Sequence, residues 1–353
     1  MQDVAAWDAL AEDASEPNPF FESWYILPSL QHLSHDSEVS ILRYEENGRL
    51  AGLLPIVRSQ RYYGHPVPNL AAWLHENAFC GAPLIARGSE VGFWQDVLRW
   101  ADRHARAALF FHLRAMPLNG TVHAALEAAT ASEGRRVALV HREARAMLES
   151  DLSPEAYFEA SLSTKKRKEL RRQARRLSEE GELAITREHG AEALPAWINE
   201  FLALERAGWK GASGSALSSS GKTEHLFRDS LTGAAQRGRL ERITIRLDGR
   251  PIAMLANFLT PPGAFSYKTA FDENFARFSP GVLLQRENLG LLERPDIAWT
   301  DSCASEDHPM IDHFWRERRA IGRISVAIGG PVRRASFGLL ARLEQSRMRK
   351  RAR

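Results

Sequence analysis

Two stretches of the chain, 201 residues apart, are built around the same kind of turn. Residues 39–57 read VSILRYEENGRLAGLLPIV, two strand-like runs joined at Asn47-Gly48. Residues 242–259 read RITIRLDGRPIAMLANFL, two more runs joined at Asp248-Gly249. Asn-Gly and Asp-Gly at such a junction accept φ > 0 at two successive residues, which is the type I′ geometry of a tight antiparallel hairpin. A hairpin cannot bury both of its faces alone, so its repetition points to two sheets and two domains.

The elements after each hairpin repeat as well. After the first come a short apolar run at Ala82–Ile85 and a helical pattern over Ser89–His104. A buried strand at Ala108–Leu113, a helix over Asn119–Ser132 and the strand RRVALV complete that half. After the second come strand AFSYKTAF (264–271), a helix over Pro280–Glu293 and strand DIAWTDS. A helix over His308–Arg318 and strand RISVAI end the series. Both halves read β-β-β-α-β-α-β, each preceded by helical segments, which predicts an α/β fold with a mixed sheet in each half.

Ser153-Pro154-Glu155 is a helix start, with Ser as N-cap and Pro at the first helical position. The predicted domains are therefore 1–150 and 151–330, with a basic tail at 331–353 that is expected to fray. At 353 residues the chain is long enough for two domains of ~150 each. With 44% apolar and 26% charged residues it is too apolar for general disorder. Cys80 and Cys303 are the two cysteines, far apart, which excludes a disulfide framework or a cysteine-rich metal site. The acidic amino-terminal stretch has no apolar h-region, and no apolar run approaches the ~20 residues of a membrane span. A cytoplasmic location is expected.

Charge divides unevenly. Residues 1–150 hold 13 Arg, no Lys and 18 acidic residues, whereas the rest hold 34 basic and 26 acidic. An anionic ligand thus belongs to the second half. Eight basic residues lie between Lys165 and Arg176, around a narrow apolar stripe of Leu170, Ala174 and Leu177. This basic helix, near 163–180, reads as a solvated linker face, an RNA contact or a patch for an acidic substrate.

The strongest local site is FDENFARFSPGVLLQREN. Ser279 suits an N-cap and Pro280 the first helical position, and Gly281 leaves the backbone accessible. The N–H groups of Gly281, Val282 and Leu283 would then face an anion, with Arg277 beside them and no carboxylate in the first turn. The matching helix of the first half begins Gly88-Ser89-Glu90, whose carboxylate repels a phosphate. Residues 216–223, ALSSSGKT, match a relaxed phosphate-loop pattern but come after no strand, so they read as an ordinary Ser/Gly loop. There is no G-x-S-x-G elbow. His308, Asp312 and His313 offer one i, i+4 pair and no third ligand, so no metal is expected. Cys303 reads as a structural thiol.

These residues carry a resemblance. The second half resembles the GNAT acyltransferase superfamily in its order of strands and helices. Three stretches, STKKRKELRRQARRL, ERAGWKG (205–211) and YKTAFDENFARFSPGVLL (267–284), look like the CelD/BcsL-type acetyltransferases of cellulose and exopolysaccharide biosynthesis. The doubled layout resembles the FemAB-like peptidyltransferases, which take aminoacyl-tRNA as donor. The usual GNAT phosphate pattern R/Q-x-x-G-x-G/A is replaced here by Arg277-Phe278-Ser279-Pro280-Gly281.

The resemblance implies two tandem GNAT-like domains and an acyl-CoA donor, acetyl-CoA first. Lys268, Arg277, Ser279, Pro280, Gly281, Val282 and Leu283 would hold the donor, and the strand end beside Lys268–Phe271 its pantetheine arm. Glu205, Asp272 and Asp301 are the candidate general bases for direct attack by an acceptor amine or hydroxyl. Trp209 and Lys210 would line the acceptor pocket. The alternatives are aminoacyl transfer from tRNA, with the basic helix as its contact, and an inactive pair that serves as a scaffold.

Overall fold

In the computed structural model, which describes residues 2–34, 38–308 and 310–351, the chain divides into two compact units. One comprises Met1–Ala144 with Arg319–Arg353, the other Arg145–Arg318. The first half of the chain forms α1 (Gln2–Glu12), α2 (Ser23–Leu33), β1 (Val39–Glu46), β2 (Arg49–Ser59), β3 (Asn69–Ala72) and β4 (Leu84–Ile85). It continues with α3 (Glu90–His104), β5 (Phe110–Pro117), α4 (Thr121–Ser132) and β6 (Val137–Leu148). The second half forms α5 (Pro154–Ser161), α6 (Thr164–Glu179), β7 (Leu183–His189), α7 (Leu194–Ala207), α8 (Trp209–Ala212) and α9 (Gly221–Gln236). Then come β8 (Leu240–Leu247), β9 (Arg250–Thr260), β10 (Gly263–Phe271), α10 (Pro280–Asn288), β11 (Trp299–Asp301), β12 (Glu317–Ala327) and α11 (Pro331–Arg351).

Within the first unit the strands lie in the order β1-β2-β3-β5-β12-β6. The β1–β2 turn has φ of 52° at Asn47 and 73° at Gly48, the left-handed pair the sequence predicts. Along β2, residues 51–56 are all buried, so this strand is covered on both faces. The apolar stripe of α3, Phe93, Trp94, Val97, Leu98 and Ala101, repeats at helical spacing and is buried. Trp94 also donates Nε1–H to the Val122 carbonyl of α4 at 2.9 Å, so the buried indole keeps its hydrogen bond.

Within the second unit the order is β11-β10-β9-β8-β7, and residues 147–148 add to the free edge of β11. Asp248 and Gly249 take φ of 48° and 76° and close the second hairpin. Ile243, Ile245, Ala253 and Leu255 pack against Leu283 and Leu284 of α10 and Leu177 of α6. Trp197 of α7 donates to Thr244 Oγ1 of β8 at 2.8 Å. Ser153 and Ser163 each accept a hydrogen bond from the backbone N–H three residues on, capping α5 and α6. On α6, Leu170 and Leu177 are buried while Lys165, Lys166, Lys168 and Arg176 are exposed.

The structure corrects three sequence expectations. The helix expected over His308–Arg318 is a series of turns and then the start of β12; Pro309 lies outside the described residues. Burial of Phe314 and Trp315 fixes this segment, and Arg318 donates to the carbonyls of Asp312 and Trp315 that a helix would have used internally. The strand expected at 323–328 as the last of the second half belongs to the first unit, where it runs antiparallel to β5. The tail expected to fray forms α11 through Arg351, anchored by buried Phe337 and Ala341; residues 352–353 lie outside the described residues. Strands β3 and β7 are additions: β3 has four residues, and β7 is an edge strand whose residues are mostly exposed, so neither carries a strong pattern.

Candidate functional site

Strand β10 is the element around which the site forms. It pairs with β9 along its whole length, with a bulge where the register slips between Ser266 and Lys268. On its other edge it meets β11 in parallel only through Gly263–Phe265, opposite Trp299–Asp301. Beyond Phe265 the two strands have no ladder, which leaves a wedge along Ser266–Phe271. A bulge bends and twists its strand, and such bends recur beside active sites.

At the end of β10 the chain makes a 3-10 turn over Glu273–Phe278. Asp272 Oδ1 caps it by accepting the Asn274 N–H at 3.0 Å. Ser279 takes φ 53°, in the left-handed region, and α10 starts at Pro280. This strained serine turns the helix start, and its side chain does not cap, contrary to the sequence expectation. Its carbonyl accepts the N–H groups of Val282 and Leu283 at 3.0 and 3.1 Å. Two of the three N–H groups expected to be free are therefore engaged. Gly281 N–H, in the first turn, has no intrahelical acceptor by helix geometry, and no acidic residue lies in that turn. Gly281 is itself closely covered: a Cβ there would stand 2.8 Å from Met310 Sδ and 3.2 Å from Phe271 Cδ1.

The candidate cations and carboxylates differ in what they reach. Arg277 stacks on Phe278 and pairs with Glu180 at 2.9 Å, so its charge is directed to the end of α6. Lys268 lies over the Tyr267 ring, 5.4 Å from its centroid. Asp272 pairs with Arg250 at 2.6 Å besides capping the turn. Asp301 is fully buried and accepts the Cys303 N–H at 2.8 Å, with Arg145 at 3.5 Å. Both aspartates thus hold the backbone at the ends of the wedge strands.

Glu205 is buried at the end of α7. Its Oε1 accepts from Lys210 Nζ at 2.8 Å and its Oε2 from the Leu217 N–H at 2.8 Å. Lys210 also donates to the Thr269 carbonyl of β10 at 3.3 Å, which ties the α7–α8 corner to the bulged strand. Trp209 is anchored through its backbone N–H, which donates to Glu273 Oε1 at 2.7 Å, while its side chain is exposed. Lys210→Met leaves the Glu205 carboxylate buried without its cation. Breaking a fully buried pair costs ~3–5 kcal/mol, and the partial exposure of Lys210 reduces the expected loss to about 2 kcal/mol. Denaturant unfolding checks this, and Glu205→Leu combined with Lys210→Met is expected to recover part of the loss.

In the sequence His308 forms an i, i+4 pair with Asp312 and reads as a satisfied surface or core residue rather than a metal ligand. The half-buried ring accepts the Met310 N–H on Nδ1 at 3.4 Å. Burial, and then the nearby Lys210 charge, hold its pKa below the ordinary value against the opposing pull of Asp312, so it is neutral at neutral pH. The segment after β11 therefore brings a neutral imidazole towards Lys210 and a methionine onto Gly281. No spacing signal in the sequence could have found this, because the connection is tertiary. Among the described residues no group of three or more His, Cys, Asp or Glu could hold a metal ion. The phosphate-loop lookalike forms a 3-10 turn at Leu217–Ser219 and the start of α9, with α8 before it.

The profile of the acetyltransferase (GNAT) domain matches residues 164–307. No curated protein matches the chain. Among solved structures it resembles FemX, with a TM-score of 0.60 and 9% identity over 96% of this chain and 98% of that one. It resembles a C-terminal domain assigned to a lysylphosphatidylglycerol synthetase of Agrobacterium fabrum, with a TM-score of 0.57 and 14% identity over 98% and 96%. A conserved protein of unknown function from Bacteroides thetaiotaomicron matches with a TM-score of 0.57 and 12% identity over 92% and 97%. At such identities the likeness is one of fold. Residues 164–307 thus match the model of the acetyltransferase (GNAT) domain, within a mixed α/β chain whose fold is similar to that of FemX over nearly its whole length.

Proposed function

We propose that the second unit is an acyl-CoA-dependent acyltransferase, with acetyl-CoA as donor and an amine or hydroxyl as acceptor. The observation that carries this reading is the wedge between β10 and β11 above the acid-free amino end of α10. The pyrophosphate lies at the Gly281 N–H and the dipole of α10, with Lys268 nearby, and the pantetheine arm runs along Ser266–Phe271. Gly281 N–H is a donor without an internal acceptor, which suits a phosphate oxygen, and Met310 with its three rotatable bonds can swing from it.

The acceptor enters on the side of Trp209 and attacks the thioester carbonyl directly. Its nitrogen or oxygen bonds to the carbonyl carbon, the carbon–sulfur bond breaks, and CoA leaves as the thiol. Asp272, Asp301 and Glu205 are committed to structural partners. Neutral His308, whose Nδ1 accepts the Met310 N–H, carries its proton on Nε2, so it is the group to protonate the departing thiolate while the acceptor's proton passes to solvent. The resemblance to CelD/BcsL-type enzymes favours a saccharide or cell-envelope precursor as acceptor, and with it a cytoplasmic site of action.

Calorimetry of CoA and acetyl-CoA with the purified chain tests the donor. Saturable binding at one site per chain is expected, and failure of a folded sample to bind either compound overturns the reading. A second reading, aminoacyl transfer from tRNA, is favoured by the shared fold with FemX and by the exposed cations of α6, which packs beside the 3-10 turn before α10. Salt-dependent tRNA binding without CoA binding would select it.

A further inference from the structure

The last helix, α11, has two apolar faces. Phe337 and Ala341 are buried in a core with Tyr62, Phe110 and Ala138. On another side of the helix, Val332, Leu339 and Leu343 are 83%, 65% and 62% exposed. Their spacing of seven and four residues puts them in one stripe, and exposed Ser336 lies between them on the same face. Single exposed leucines are ordinary, whereas three large apolar residues aligned on one helix face mark a contact surface.

The charge of the same helix says what that contact is. Pro331–Arg351 holds seven Lys or Arg and one Glu, a balance of +6. Arg333 donates to the Arg106 carbonyl, and Arg334 to the Gly329 carbonyl and to Asp102. Arg342 is exposed beside Leu343, and Arg347, Arg349, Lys350 and Arg351 come next in sequence. A second copy laid on this stripe would bring two strongly cationic helices together, with like charges opposed. RNA would meet the charge but gain little from leucine and valine, and the one aromatic ring of α11, Phe337, is buried. A surface that rewards both apolar insertion and positive charge is the headgroup region of an anionic bilayer.

We propose that α11 is a docking surface for an anionic lipid membrane. It lies flat, with Val332, Leu339 and Leu343 inserted at the headgroup–acyl boundary and exposed Arg342 against lipid phosphates, the helix's balance of +6 adding attraction to the anionic surface. Among the described residues no helix is long and apolar enough to cross a membrane, and this mode of attachment needs none.

The test is co-sedimentation of the full chain with phosphatidylcholine vesicles, with and without about one-third phosphatidylglycerol, at low and high salt. Binding to the phosphatidylglycerol vesicles alone, weakened by salt, is expected. Leu339→Gln with Leu343→Gln should lower that partition by ~10-fold or more, given the transfer free energy of two leucines. The unfolding midpoint should stay unchanged, because both side chains are exposed. Failure of the wild-type chain to bind phosphatidylglycerol vesicles overturns the proposal, as does a double variant that partitions like wild type. A wild-type dimer in light scattering that the double variant converts to monomer also overturns it, because the stripe is then covered by a second copy.

Discussion

Gly281→Glu is expected to weaken CoA binding by ~100-fold or more while Gly281→Gln, of similar volume, changes it by less than ~10-fold. The first turn of α10 holds no acidic residue, so the positive end of the helix dipole is uncompensated. A carboxylate at position 281 would supply that compensation from within and would also face the pyrophosphate. Two unit charges ~4 Å apart repel by about 4 kcal/mol at an effective dielectric constant of 20, and 100-fold in affinity is about 2.7 kcal/mol. The electrostatic cost alone is therefore large enough. Both long side chains must displace Met310, whose Sδ stands 2.8 Å from where a Cβ would lie, so the Gln variant isolates charge from bulk. Circular dichroism verifies that each variant is folded. Equal CoA affinity in wild type and Gly281→Glu would move the donor site away from α10.

The sequence carried the local parts of this site and missed the tertiary ones. Asn47-Gly48 and Asp248-Gly249 announced both hairpins because few residue pairs accept two consecutive positive φ values, and the structure has them there. Ser153-Pro154 announced a helix start for another local reason, side-chain capping followed by the preset φ of proline, and Ser153 caps α5. Ser279-Pro280 located the start of α10, yet the left-handed Ser279 and the use of its carbonyl by Val282 and Leu283 depend on how the 3-10 turn meets the helix. The partners of charged residues were not legible. Arg277 and Glu180 are 97 residues apart, and Asp301 and Arg145 are 156 apart. The placement of β12 beside β5 was invisible for a similar reason, since the order of elements along a chain does not say which sheet a final strand joins.

That β12–β5 contact underlies a second large effect, an acid-labile first unit. His112 of β5 sits opposite Ser325 of β12 in the ladder, with Nδ1 3.0 Å from Ser325 Oγ and Nε2 3.0 Å from the Tyr63 hydroxyl. Burial, and then the charges of Arg114 and Arg323, push its pKa down to about 3 from an ordinary value of 6.5. The folded state therefore keeps the imidazole neutral, while the unfolded chain takes up a proton below pH 6.5. Stability from this histidine is fully present above pH 6.5 and is lost as pH falls from there towards 3, at up to ~1.4 kcal/mol per pH unit. Two pH units of acidification thus remove up to ~2.7 kcal/mol, a large share of the stability of an ordinary domain. In His112→Phe the ring remains but nothing titrates, so denaturant midpoints measured from pH 6.5 to 4.5 should fall less steeply than in wild type by that slope. Parallel pH dependences in the two proteins would mean that His112 is protonated in the folded unit. The Tyr63–His112–Ser325 hydrogen bonds would then have to be drawn with an imidazolium donating to both hydroxyl oxygens, in the field of Arg114 and Arg323, an arrangement that burial and Coulomb repulsion oppose.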